Sequence, residues 1–162
     1  MVAPRTLHGQ WLRRWKQTNH SAEELRERIA INLAEQKPVT TVGAGDEIRS
    51  NVGTIAVVTD SRAVYYLLAI SRFDEHKRAH CNHDDLEKAL LSLWDFYDVF
   101  GLGYPLYLPL IGTGMSRASF QYAESLELIK ETVLKSLSKA HGKITIVVTQ
   151  DAWNDLKLGE RK

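Results

Sequence analysis

An α/β fold is what this sequence predicts, and three observations predict it. Two short runs rich in β-branched and aromatic residues, Thr54 to Thr59 and Val64 to Ile70, flank the polar turn Asp60-Ser61-Arg62 and read as a β-hairpin. Further along, the apolar run Leu106 to Ile111 is followed by a glycine turn, a long amphipathic segment and a second apolar run, Ile144 to Val148. Strand, helix and strand in that order imply a parallel pair buried on both faces by helices. Elsewhere, apolar residues recur at helical spacing.

The first helix is expected to begin near Leu7-His8-Gly9, with Trp11, Leu12 and Trp15 on one face and Arg13, Arg14 and Lys16 on the other. Ser21 with Glu24 three residues later is a capping-box pattern, in which each side chain satisfies a free backbone N–H of the new helix. Leu25, Ile29 and Leu33 form the buried stripe of this second helix, and Lys37-Pro38 ends it, because proline has no amide hydrogen to continue the ladder. Thr41 to Val52, with Gly43 and Gly45, reads as a loop. After the hairpin a third helix is expected from Asn82 to Phe100, with Leu86, Leu90, Leu93 and Tyr97 inward and Gly101 closing it. The helix after the glycine turn carries Leu126, Ile129, Val133 and Leu137. No repeat or Pro/Gly/Ser linker divides the chain, so residues 1–150 are expected to form one domain and 151–162 a polar C-terminal tail.

With 162 residues, 44% of them hydrophobic, the chain can bury one core. A net charge of +1 gives no basic stripe, which argues against a dedicated nucleic-acid binder. The single cysteine, Cys81, excludes an intramolecular disulfide and fits a reducing compartment, the cytoplasm. No stretch reaches the roughly 18 apolar residues that a membrane span needs.

The motif with the most chemistry is Gly112-Thr113-Gly114, at the carboxyl end of the strand Leu106 to Ile111. In open α/β sheets ligands bind beyond the carboxyl ends of strands. Glycines there let backbone N–H groups approach an anion with no Cβ in the way, and the following helix N-terminus adds partial positive charge. Pyrophosphate is the natural ligand for such a loop. Taken alone, Gly-Thr-Gly serves a tight structural turn as readily as a phosphate site.

The longer string Leu108-Pro109-Leu110-Ile111-Gly112-Thr113-Gly114 resembles the strand-loop signature of macro domains, and the resemblance runs from Gly53-Thr54 to the final strand. The chain is most similar to the bacterial branch of the Thoeris antiphage-defence system, whose loop is followed shortly by an arginine, here Arg117. Leu7-His8-Gly9-Gln10, Tyr65-Tyr66-Leu67-Leu68-Ala69 and Leu93-Trp94 also resemble that branch. The resemblance implies a three-layer α/β/α sandwich with a mixed sheet, lacking the family's earliest strands. It implies a sensor that binds ADP-ribose or a derivative made from NAD by a TIR-domain partner enzyme, with binding rather than turnover as its role and no further cofactor. Leu110, Ile111, Gly112, Thr113, Gly114, Met115, Ser116 and Arg117 would line the phosphate side, with His8 and Gly9 facing them. The resemblance assigns no residue here to the asparagine-bearing segment on which hydrolysis leans in this family, so turnover is not expected. An ADP-ribosyl hydrolase and a ligand-free interaction module remain the competing readings, and an exposed sheet edge would favour a homo-oligomer.

Other clusters have plainer readings. His80-Cys81-Asn82-His83-Asp84-Asp85 is rich in metal-ligand types, yet Asn82 suits an N-cap and the acidic residues suit the positive helix end that follows, so no metal is assigned. Cys81 is expected to be an inert thiol. The charged run Ser71 to Arg78 reads as a solvated loop; the functional alternative stacks Phe73 on a base and sets Arg72 or Arg78 on phosphate. Arg117, three residues past the second loop glycine, can reach the same anion with a bidentate fork. Trp11, Trp15 and Trp94 fall at core spacing, while Trp153 lies in the tail.

Overall fold

A computed structural model of the chain describes residues 7–18, 21–34, 50–76, 78–113, 120–136 and 142–159. In chain order it contains α1 (Leu7–Gln17), α2 (Ala22–Ala34), β1 (Ile55–Thr59), β2 (Val64–Leu68), β3 (Arg72–Phe73), β4 (Ala79–His80), α3 (His83–Phe100), β5 (Leu106–Pro109), α4 (Tyr122–Ser136), β6 (Ile144–Val147) and α5 (Gln150–Gly159). The α/β class is borne out, with antiparallel pairing in β1–β2 and β3–β4 and parallel pairing in β5–β6. Two compact units are present, one comprising Met1–Asn51 with Ile55–Leu68 and the other Val52–Thr54 with Ala69–Lys162.

In the first unit the helical spacing of Trp11 and Trp15 stacks their rings 5.6 Å apart, and Trp11 meets Tyr65 of β2 edge-on. Trp15, Leu25 and Val58 form the core, with Leu12, Ile29 and Leu67 packed against it. Ser21 Oγ accepts from the Glu24 amide at 2.9 Å, which supplies the cap expected at the start of α2. From α2, Asn32 Oδ1 accepts the Val57 amide (2.8 Å) and Arg28 donates to the Thr59 carbonyl (3.1 Å), so helix side chains serve backbone groups of β1. At the hairpin turn one oxygen of Asp60 accepts the amides of Arg62 and Ala63, and the other accepts the Tyr65 hydroxyl. These bonds hold its carboxyl below the usual aspartate range.

The second unit is built on α3. Asn82 and Asp85 form a reciprocal capping box, each side chain accepting the other's amide. Leu86, Ala89, Leu90, Leu93, Trp94 and Tyr97 recur at helical spacing and are buried. Gly101 caps the helix as expected but stays in the right-handed region, at φ −74, and the positive angles fall at Leu102 and Gly103. Glycine is needed at 101 for space, because a Cβ there would lie 2.4 Å from the Tyr97 carbonyl oxygen.

Packed on α3, α4 buries Ser125, Leu128, Ile129, Thr132 and Ser136, whereas Leu126 and Val133 are half-buried and Leu137 lies outside the described residues. The expected stripe was thus one position off at Leu126 and Val133, because small hydroxyl residues occupy the seam. Trp94 Nε1 donates to Thr132 Oγ1 at 3.0 Å, and that hydroxyl lies 2.8 Å from the Leu128 carbonyl of its own helix. In the parallel pair Leu108 is buried while Tyr107 and Val147 are 67% and 51% exposed, so one face is open where burial on both was expected. Residues 151–159, expected as part of a polar tail, belong to α5, which contacts α4 and buries Ala152.

Thr132→Val keeps the side-chain volume but leaves the buried Trp94 indole N–H without its acceptor. A loss of about 1–3 kcal/mol is expected in urea unfolding at neutral pH.

Candidate functional site

Beyond Pro109 the chain leaves β5, two residues earlier than expected, and turns through Leu110, Ile111, Gly112 and Thr113. Gly112 adopts φ +82, a left-handed conformation that L side chains rarely take. A Cβ built on it would also sit 2.8 Å from Phe120 Cδ2 and 3.2 Å from Leu86 Cδ2. Backbone angle and space therefore both demand glycine at this position. Gly112 is buried, and Leu110, Ile111 and Thr113 are half-buried.

Two hydroxyls set the shape of this turn. Thr113 Oγ1 donates to the Leu110 carbonyl at 3.3 Å, and Ser125 Oγ, from the first turn of α4, donates to the Ile111 carbonyl at 2.7 Å. Leu86 belongs to the first turn of α3. The turn thus meets the N-terminal turns of two helices, where partial positive charge accumulates. The amide of Gln121 just ahead of α4 is taken by Glu124, which satisfies one of that helix's free donors internally. Among the described residues the amides of Gly112 and Thr113 have no acceptor.

The structure brings together Leu110, Ile111, Gly112 and Thr113 of the expected site residues. Gly114, Met115, Ser116 and Arg117 lie outside the described residues. His8 and Gly9 are in the first turn of α1, in the other compact unit; the His8 ring meets Trp11 edge-on at 6.0 Å, and burial lowers its pKa. Phe73 pairs with Ala79 through the β3–β4 ladder, and its side chain lies outside what is described.

The charged run expected as a solvated loop is instead a short hairpin organised by carboxylates. Arg72 forks onto Asp85 through Nε at 3.0 Å and Nη2 at 2.6 Å, so its guanidinium serves the α3 cap. Arg78 donates to Asp74 from both its amide and its Nε, at 2.8 Å each, and His80 Nε2 lies 3.0 Å from the same carboxylate. The Arg78 amide first, then the hydrogen bonds from the His80 ring and the Arg78 guanidinium, hold the Asp74 carboxyl well below the aspartate range. Cys81 is buried, and desolvation followed by the Asp85 charge pushes its thiol up to about 11, which fits the inert thiol expected. A shallow depression of about 290 Å3 in the first unit is lined by Arg28, Asn32 and Thr59 among others, but Arg28 and Asn32 already serve the β1 backbone there.

Ser125 and Phe120 were not picked out in the sequence. A serine at 125 shares the helical face of Leu128, Ile129 and Thr132, and that spacing was the available signal. Phe120 left none, since its place over Gly112 depends on how the chain returns to α4.

The family model for the macro domain of Thoeris protein ThsA matches residues 1–149. The chain belongs to the ThsA macro-domain family. It is also similar to Thoeris protein ThsA of Bacillus amyloliquefaciens (strain Y2), with 25% identity over 120 residues. That match covers 72% of this chain and 39% of the relative, so the chain corresponds to well under half of that protein's length. No helix among the described residues of this macro domain is long and apolar enough to cross a membrane.

Gly112→Ala adds both backbone strain and a clash with Phe120, and is expected to destabilise the domain by about 1–3 kcal/mol in chemical denaturation. Asp74 titrates lower in the folded chain than in the unfolded one. Its contribution is therefore present above the unfolded value, roughly 4, and is lost as pH falls through the lower folded value. Asp74→Asn should lower the melting temperature at pH 7, with the gap to the parent protein narrowing below pH ~4.

Proposed function

We propose that this macro domain is a sensor that binds an ADP-ribose-type nucleotide signal in bacterial antiphage defence. The observation that carries the reading is the turn after β5, where Gly112 at φ +82 is fixed between the first turns of α3 and α4. Membership of the ThsA macro-domain family supports it. A diphosphate suits such a turn, because backbone N–H groups and helix N-termini favour negative charge without demanding a lysine or arginine for every contact. Arg117, five positions after Gly112 in the sequence, would supply a cationic fork for the same anion.

Binding is favoured over turnover on the chemistry of the turn's neighbours. Leu86, Phe120 and Ser125, which the structure sets against it, offer no group that titrates near neutral pH to act as a general base. The signal would arise from NAD through a TIR-domain enzyme of the same defence system, and the domain would meet it in the cytoplasm.

Calorimetric titration with ADP-ribose, its cyclic forms and its amino-acid conjugates tests this reading. Saturable binding of at least one of them is expected, and Arg117→Ala should weaken it about tenfold or more while the melting temperature stays within a degree or so. The absence of both binding heat and thermal stabilisation with all of these ligands defeats the sensor reading, and release of free ADP-ribose from a bound conjugate replaces it with a hydrolase.

A further inference from the structure

Two consecutive carbonyls enter the turn, those of Leu110 and Ile111, and each is taken by a side-chain hydroxyl. The peptide unit is planar and trans, so a carbonyl and the amide of the next residue point in opposite directions. Holding the Ile111 oxygen therefore also aims the Gly112 N–H. Ser125 does the holding, at 2.7 Å, and so the Gly112 amide is directed away from α4.

Ser125 is well placed for this. Its side chain is fully buried, and its own amide is tied into the start of the helix through the Gln121 carbonyl at 3.1 Å. A serine or threonine inside a helix commonly returns its hydroxyl to a carbonyl one turn back, as Thr132 does with Leu128. Ser125 donates across fourteen residues of sequence instead. Apolar packing from Phe120 and Leu86 then leaves the turn little room to rotate.

We propose that Ser125 is a positioning residue for the nucleotide site: by fixing the Ile111–Gly112 peptide it presets the direction in which the turn offers its amide to a pyrophosphate. The proposal rests on the reading of this turn as a nucleotide site, and it deepens that reading by naming the residue that preorganises it. Preorganised amides bind more tightly because the ligand does not have to pay for ordering them.

The test is calorimetry with ADP-ribose on the parent protein, Ser125→Ala and Thr132→Val, together with the amide resonance of Gly112 in 15N-labelled protein. Thr132→Val is the control, since it also removes a buried hydroxyl from α4 but one that serves Trp94. Ser125→Ala is expected to weaken ADP-ribose about tenfold and shift the Gly112 amide, while Thr132→Val stays within about twofold and leaves that resonance in place. Should Ser125→Ala fail to fold, Ser125→Cys keeps the volume with a weaker donor and serves the same comparison. Parent-like affinity in the Ser125 variant overturns the proposal, and so does an equal loss in both variants, which would mark a merely structural role. Where a cyclic form or conjugate binds the parent protein more tightly than ADP-ribose, that ligand takes its place in the comparison, and if none of them binds, the nucleotide reading falls first and this proposal with it.

Discussion

The seam between α3 and α4 is the constraint on which the glycine turn depends. At its N-terminal end Leu86 and Ser125 carry the contacts to the turn, while further along Trp94 and Thr132 add a buried hydrogen bond that the turn does not touch. A buried indole N–H is costly without an acceptor, so this bond holds the two helices in one register. One turn from the N-terminus of each helix, Leu86 and Ser125 then meet the residues that follow β5. Gly112 can adopt its left-handed angle because the seam brings an apolar wall to one side of it and a hydroxyl to the carbonyl before it.

Carboxylates do most of the local organising. Asp60 folds the hairpin turn, Asp74 folds the β3–β4 turn, and Asp85 caps α3 while gripping Arg72. Each is short enough to reach nearby backbone amides, which explains why aspartate and not glutamate recurs at these points. Arg72 and Arg78 are thereby tied to carboxylates that have structural work of their own. The nucleotide reading accordingly leans on main-chain groups of the turn and on Arg117, with less asked of the charged run before α3.

Within the ThsA family, this chain corresponds to 39% of the Bacillus relative that it matches. A turn held by two helices suits the recognition proposed for it, since most of the ordering needed to receive an anion would already be present.

Apolar patterning along the chain determined α1 to α4, the β1–β2 hairpin and the β5–β6 pair, because each depends on apolar residues recurring at a spacing that the backbone geometry enforces, whereas α5 and the β3–β4 hairpin, both polar, escaped it. The caps at Ser21 and Asn82 were legible for the same reason, being local contacts between residues three apart. The glycine turn was legible as a motif through Gly112 and Thr113, but its chemistry was not. Only the tertiary structure decided that Ser125 would reach back to Ile111, that Phe120 would cover Gly112, and that Arg72 would serve Asp85. It also decided that Tyr107 and Val147 lie on an open face, since an apolar run does not reveal which of its sides finds a partner. Contacts between residues far apart in sequence are fixed by packing, and no spacing rule along one chain encodes them.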